Sequence, residues 1–298
     1  PSDISGLTLW LAGDNAHSTT PPYTDTVYDN SSNQFHAVQG NAGFQPTLIT
    51  SPTLNNHKVI GLDGIDDFLK SDHPITVGTV FIVSNWMGGG TVFSTNYEFV
   101  SKNYVDNPTE PWSIFEPTIN TSDWKNASYI AMSSFFKNGV SSPSYAPLSD
   151  YKITAGNTAS PVLFQNVMLG WVGTGSRYWN GNVAEVIIYN SILSGTDRQN
   201  VEKYLSDKYA PPVNLGADIT LSNLCPRTLR AKKDWFSSYI WSPGGSTADS
   251  LVVTQSGTYS VTVTNIFEYQ STDNITITYP GNFSPYPGNA TTICSGDS

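Results

Sequence analysis

The chain has 298 residues, enough for two domains that each bury a core. Charged residues make up 13% and aromatics 12%, and 14 Lys plus Arg against 24 Asp plus Glu give a net charge of −10. That balance argues against nucleic acid, whose phosphates need clustered Lys and Arg, and no run of 18 apolar residues is present to span a membrane.

Residues 1–210 read as one strand after another. Gly6-Leu-Thr-Leu-Trp10-Leu alternates until Gly13-Asp14-Asn15 breaks it. Val59–Gly64 reads as a short strand ending in a turn. Thr79–Ser84 and Ala184–Tyr189 are β-branched and almost continuously apolar, so both belong in a core. Between Asn85 and Asn166 the pattern is weak, and Gly88-Gly-Gly90 with scattered prolines suggests long loops. One helix is expected after Ser194, an N-cap with Asp197 three residues on. Val201, Tyr204, Leu205 and Tyr209 share its apolar face, and Pro211-Pro212 ends it. The expected domain boundary falls there.

Residues 213–280 alternate again, at Ile219–Leu221, Tyr239–Trp241, Ser250–Thr254, Gly257–Thr264 and Asn274–Thr278. Turn signals recur at sandwich spacing. A domain this small needs a staple or a neighbour. Residues 281–298 are rich in Pro, Gly and Asn and read as a linker or the start of a further repeat. Cys225 and Cys294 lack zinc-site spacing. One disulfide, two halves of other pairs, or free buried thiols are all open. Pro1-Ser2-Asp3 has neither a leader nor a start context, so the chain reads as a piece of something longer.

Catalytic signatures are sparse. Glu98, Glu110, Glu116, Glu185 and Glu202 are scattered, whereas a retaining glycosidase needs two carboxylates about 5 Å apart. His17, His36, His57 and His73 stand in polar loops with no Gly-x-Ser-x-Gly elbow and no paired-histidine zinc spacing. No catalytic residue is assigned. Acidic residues are the better lead, because calcium prefers several oxygen ligands. Asp14 and Asp29 sit at turns, and Asp63, Asp66 and Asp67 fall within five residues. Asp63 precedes Gly64 and reads as a turn cap, leaving Asp14, Asp29, Asp66 and Asp67 as candidate calcium ligands. Sugar rings stack on exposed aromatics. Trp86, Trp171, Tyr178 and Trp179 lie in or near loops and Trp10 and Trp241 in strands. Trp112, Trp124 and Tyr129 in the unreadable middle form the candidate ligand surface.

Several segments carry a family resemblance. Ser5–Asp14, Val27–Asn33 with Gln45-Pro46, Ile60-Gly-Leu-Asp-Gly-Ile-Asp-Asp-Phe-Leu69, Trp179–Asn190 and Leu193–Tyr209 occur in the order found in the laminin-G-like, concanavalin-like jelly-roll group, which this region resembles. Leu62 stands where that group has Phe. Leu215–Leu221, Tyr239–Gly245 and Ser256–Val263 resemble the immunoglobulin-like repeats of large bacterial surface proteins. Those repeats often carry a second cysteine before the final strand, and Asn265–Gln270 has none. Thr291–Asp297 looks like the start of another repeat. The resemblance implies an all-β chain: a jelly-roll sandwich over 1–210, then a smaller immunoglobulin-like sandwich over 213–280. It further implies a non-catalytic cell-surface adhesin segment of gliding bacteria, exported by type IX secretion. Such a segment would bind an extracellular glycan or surface protein, with calcium assisting. The rivals are a glycan hydrolase or lyase on the same fold, and a structural stalk or passenger of the secretion machinery.

Overall fold

The computed structural model describes residues 1–87, 100–101, 132–142, 149–171 and 178–281. It divides into two compact units, Pro1–Tyr209 and Ala210–Ser298. Both are built mainly from antiparallel strand pairs without a closed barrel, and the protein is an all-β sandwich. No helix among the described residues is long and apolar enough to cross a membrane.

The first unit runs β1 (Leu7–His17), β2 (Thr26–Asp29), β3 (Ala37–Val38), β4 (Thr47–Ser51), β5 (His57–Asp63), β6 (Leu69–Ser71), β7 (Ile75–Ser84), β8 (Val100–Ser101), β9 (Met132–Lys137), β10 (Val140–Ser141), β11 (Lys152–Phe164), β12 (Val167–Leu169) and β13 (Asn180–Tyr189). A single helix, α1 (Gly195–Tyr209), closes it. The sheet order is β10-β9-β11-β7-β13-β1-β2-β3-β6-β12-β8, with β4 and β5 added at β13. Strand β1 is the corner. It pairs with β13 through Leu7–Ala12, and its register against β2 shifts between Leu11 and Ala16. Such a bulge bends a strand and lets one sheet fold over itself.

The apolar runs of β7 and β13 are buried on both faces. Val80, Ile82, Val186 and Ile188 fill the main core with Leu69, Val167 and Leu169. On the opposite face Phe81 meets Tyr189 edge to face at 6.2 Å. Strands covered on both sides need no alternation, which is why these two read as continuous apolar runs.

Helix α1 begins as its sequence indicates: Ser194 Oγ accepts from the Asp197 N–H (3.1 Å) and donates to Asp197 Oδ2 (2.8 Å). Val201, Leu205 and Tyr209 are buried. Its seat is also polar. Glu185, 1% exposed, accepts hydrogen bonds from Trp10 Nε1, Lys208 Nζ and Tyr209 Oη, each at 2.6 Å. The isolated Glu185 of the sequence is thus a fully partnered carboxylate joining β1, β13 and the helix.

Strand β11, the longest of the described strands, was not legible. Lys152-Ile-Thr-Ala-Gly-Asn-Thr-Ala-Ser-Pro-Val-Leu-Phe lacks a period of two because its pairing with β7 shifts register between Asn157 and Val162, around Pro161. Trp86 and Trp179, in loop-like sequence, are 2% and 1% exposed and belong to the core.

The second unit contains β14 (Ile219–Thr220), β15 (Arg227–Arg230), β16 (Phe236–Ser242), β17 (Ser250–Val253), β18 (Gly257–Asn265) and β19 (Gln270–Thr278). Its sheets are β14-β19-β18-β16 and β15-β17. Trp241, Val261, Val263, Phe267, Ile275 and Ile277 form its core. The β18–β19 turn is held by Asn265 Oδ1, which accepts from the N–H groups of Phe267 and Tyr269. Cys225 is disulfide-bonded, and Cys294 lies outside the described residues.

Candidate functional site

The β5–β6 loop brings three carboxylates together. Asp63 ends β5, and its Oδ1 accepts from the N–H groups of Ile65 (2.8 Å), Asp66 (3.2 Å) and Asp67 (3.4 Å). This is an Asx-type turn, in which a side chain replaces a backbone acceptor. Gly64 follows at φ +75°, and a Cβ there would lie 2.6 Å from Cβ of Asn180. Glycine is required both for the left-handed backbone and for the close approach. Asp67 Oδ2 accepts from the Asp63 N–H at 3.2 Å and closes the loop on itself.

Donor oxygens of Asp63, Asp66 and Asp67 lie within 4.8 Å of one another. No Lys or Arg among the described residues is recorded as pairing with them. Burial of Asp67, then the Asp63 and Asp66 charges beside it, push its carboxyl up to about 7. The loop hydrogen bond from Asp63 opposes that rise and is outweighed. Uncompensated carboxylates at this spacing suit a hard divalent cation, which takes oxygen ligands and would relieve the repulsion. Asp63 Oδ1 and Asp67 Oδ2 are committed to N–H groups of the loop itself, so the two Asp66 oxygens, Asp67 Oδ1 and Asp63 Oδ2 are the ones left for such an ion.

An aromatic row borders the loop. Phe68 follows Asp67 directly, and its ring lies 6.1 Å from Phe44 and 4.9 Å from Trp171. Trp171 and Tyr178 are stacked, 5.4 Å apart and 8° from parallel. An antiparallel bridge between the same two residues holds the pair. Gly170, at φ +90°, brings this segment against the acidic loop: a Cβ there would lie 3.1 Å from the Asp67 carbonyl oxygen. Burial, then the charges of Asp66 and Asp63, raise the Tyr178 hydroxyl above its usual value, so the ring stands in the field of the carboxylates. At the tip of the same loop Ile65 is 63% exposed.

The other sequence candidates are placed elsewhere. Asp14 joins a different network: His57 Nδ1 at 2.7 Å, the Lys58 N–H at 2.9 Å and Lys208 Nζ at 3.4 Å. Burial works against its charge, but these partners together hold its carboxyl below the usual range. Asp29 is buried and accepts from four donors, the N–H groups of Trp10, Ser31 and Phe35 and the Ser31 hydroxyl. Its oxygens tie β1 to the β2–β3 turn. Trp112, Trp124 and Tyr129 lie outside the described residues. The sequence presented Trp171 and Tyr178 only as loop aromatics. More than a hundred residues separate them from Asp66, so no local spacing joins the two groups.

No family model and no curated protein sequence matches the chain. Among solved structures, it is similar to an arabinofuranosidase complexed with arabinofuranosyl-alpha-1,2-xylobiose (14% identity, TM-score 0.36), over 81% of this chain and 59% of that one. It is also similar to a mutant GH54 α-L-arabinofuranosidase soaked with 4-nitrophenyl α-L-arabinofuranoside (13%, TM-score 0.37; 81% and 60%). A third is the botulinum neurotoxin type G receptor binding domain (10%, TM-score 0.37; 89% and 74%). The chain thus spans about six-tenths of the two arabinofuranosidase chains. All three likenesses are distant, and none assigns an activity to this chain.

Proposed function

We propose that the chain is a non-catalytic recognition segment of a cell-surface protein, binding an extracellular glycan through the first unit. In this reading the first unit is a laminin-G-like jelly roll and the second an immunoglobulin-like spacer. The protein is exported to a bacterial surface, with type IX secretion the route that the sequence resemblance suggests. The observation that carries the reading is the Trp171–Tyr178 stack beside the Asp63–Asp66–Asp67 loop, with Ile65 exposed at its tip. Aromatic faces take the C–H face of a sugar ring and carboxylates accept from its hydroxyls. Calcium is the proposed cofactor. Asp66 and Asp67 would hold it, with Asp63 shaping the loop, and it would neutralise and rigidify the sugar-facing edge.

One observation favours a second reading, glycoside hydrolysis. Carboxylates this close, one of them with a raised pKa, satisfy the chemical requirement for a general acid and its partner. Against it, all three belong to one five-residue turn, and Asp67 is only 7% exposed. They converge on one point, whereas a hydrolase pair flanks a bond. Affinity electrophoresis of the whole chain through a panel of soluble polysaccharides, with and without calcium, tests the binding reading. Retardation by at least one polysaccharide is expected, falling about tenfold or more in W171A and Y178A. Retardation unchanged in both variants sinks the assignment of this site. Release of reducing sugar that D67N abolishes would establish the hydrolytic reading instead.

A further inference from the structure

The second unit has a feature that the first-unit glycan site does not use. Its two sheets leave an open side, where a groove of about 390 Å³ runs between β15 and the β14–β19 edge. Leu229 and Ile275, both buried, form its floor and Leu215 and Ile219 its wall. Arg227 and Arg230 rim it. Between residues 210 and 281 the only Lys and Arg are Arg227, Arg230, Lys232 and Lys233. All the positive charge of the described second unit therefore lies on β15 and the turn after it, in a chain of net charge −10. Lys232 pairs with Asp249 at 3.5 Å and Lys233 lies over Trp235. Neither rim arginine is recorded with a side-chain partner among the described residues.

Among the described residues the backbone of β15 is open on the same side. Its one sheet partner is β17, with Arg227 opposite Val253 and Leu229 opposite Leu251. The Ala231 N–H donates to the Asp249 carbonyl at 3.0 Å, which sets the phase of the ladder. Groups that face the partner strand alternate with groups that face away. Arg227, Leu229 and Ala231 face β17, so the N–H and C=O of Thr228 and Arg230 face outward, without a backbone partner among the described residues. An unpaired edge of this kind is a template for another strand.

We propose that this edge captures an extended acidic peptide segment of a partner protein by strand addition. The outward groups of Thr228 and Arg230 would continue the ladder. Alternate apolar side chains of the peptide would enter the groove over Leu229 and Ile275, and its carboxylates, on the opposite face, would meet the guanidinium fork of Arg230, with Arg227 at the mouth of the groove adding positive charge. An anionic glycan would satisfy the arginines but not the backbone groups or the apolar floor, so the peptide is the better fit.

The test uses the full chain and a blocked peptide alternating glutamate with valine, followed by fluorescence anisotropy and amide hydrogen exchange. Saturable binding is expected, about tenfold weaker in the paired R227Q/R230Q variant and lost when a central proline interrupts the peptide. Amide exchange should slow at Thr228 and Arg230 on binding. R227K/R230K, which keeps the charge but loses the fork, should fall between wild type and the glutamine pair. Four results would overturn the proposal. One is no binding, which would leave the arginines as charges that merely guard an edge. Another is equal binding of a peptide with lysine for glutamate. A third is binding of oligogalacturonate but not of the peptide. The last is full protection of Thr228 and Arg230 in the free chain, which would mean that another segment of the chain already covers the edge.

Discussion

At the scale of single residues, Asp67 is the most consequential group of the acidic loop. Its carboxyl is raised from 3.8 to about 7, first by burial and then by Asp63 and Asp66. Between those values the folded state binds more protons than the unfolded chain. Stability in a chelator should therefore fall as pH rises from about 4 to about 7, and then level off. D67N removes the charge at nearly constant shape, and urea titrations across that range should show the slope reduced. Above pH 7 the variant should be more stable than the parent in chelator. A divalent cation should give the parent the same benefit and the variant much less, because the ion replaces the proton as the neutralising partner. Asp63 was legible as a turn cap because Asp-Gly marks a turn by its local chemistry, and its three N–H partners bear that reading out. Asp29 was not legible. A carboxylate that accepts four hydrogen bonds, three from its own turn and one from Trp10 on β1, and one that offers oxygens to an ion look alike in sequence. Only the donors folded around it tell them apart.

At the scale of elements, helix α1 shows where sequence patterning succeeds and where it stops. Its cap, its apolar face and its end follow from local rules, and all three are found. The buried Arg198, Glu202 and Ser206 on the same helix do not follow. Arg198 pairs with Glu202 and lies 3.8 Å over the Phe136 ring, a partner on β9 that helical periodicity cannot supply. Glu185 poses the same problem from the strand side. Replacing it with alanine would leave Trp10 Nε1, Lys208 Nζ and Tyr209 Oη facing a buried gap. Loss of one member of such a network costs about 3–5 kcal/mol, so E185A should show a large drop in denaturation midpoint. E185Q keeps the volume and one acceptor and should lose less. If E185A unfolds at the parental midpoint, the helix is held by Val201, Leu205 and Tyr209 alone. Strand β11 was missed for a different reason: a register shift breaks the period of two on which strand recognition depends.

At the scale of the whole molecule, the two units contrast in what stabilises them. The first has a large apolar core and, in its acidic loop, a local excess of negative charge. The second has a smaller core and a disulfide at Cys225. Small domains bury a lower fraction of their surface and depend more on such staples. The composition already implied that need, but two cysteines far apart in sequence could not reveal whether they pair. Calorimetry of the whole chain should therefore resolve two transitions that respond to different reagents. Calcium should raise the transition of the first unit by mass action, since an ion that binds only the folded loop stabilises it. A reductant should lower the transition of the second unit, by about 2–4 kcal/mol for a disulfide of ordinary strength. Neither reagent should move the other transition. If calcium moves neither, the acidic loop is not an ion site, and the edge proposed to face the sugar must be held by the Trp171–Tyr178 stack and the Asx turn alone. If the reductant moves both, the two units do not unfold independently, and assigning recognition to one and spacing to the other loses its physical basis.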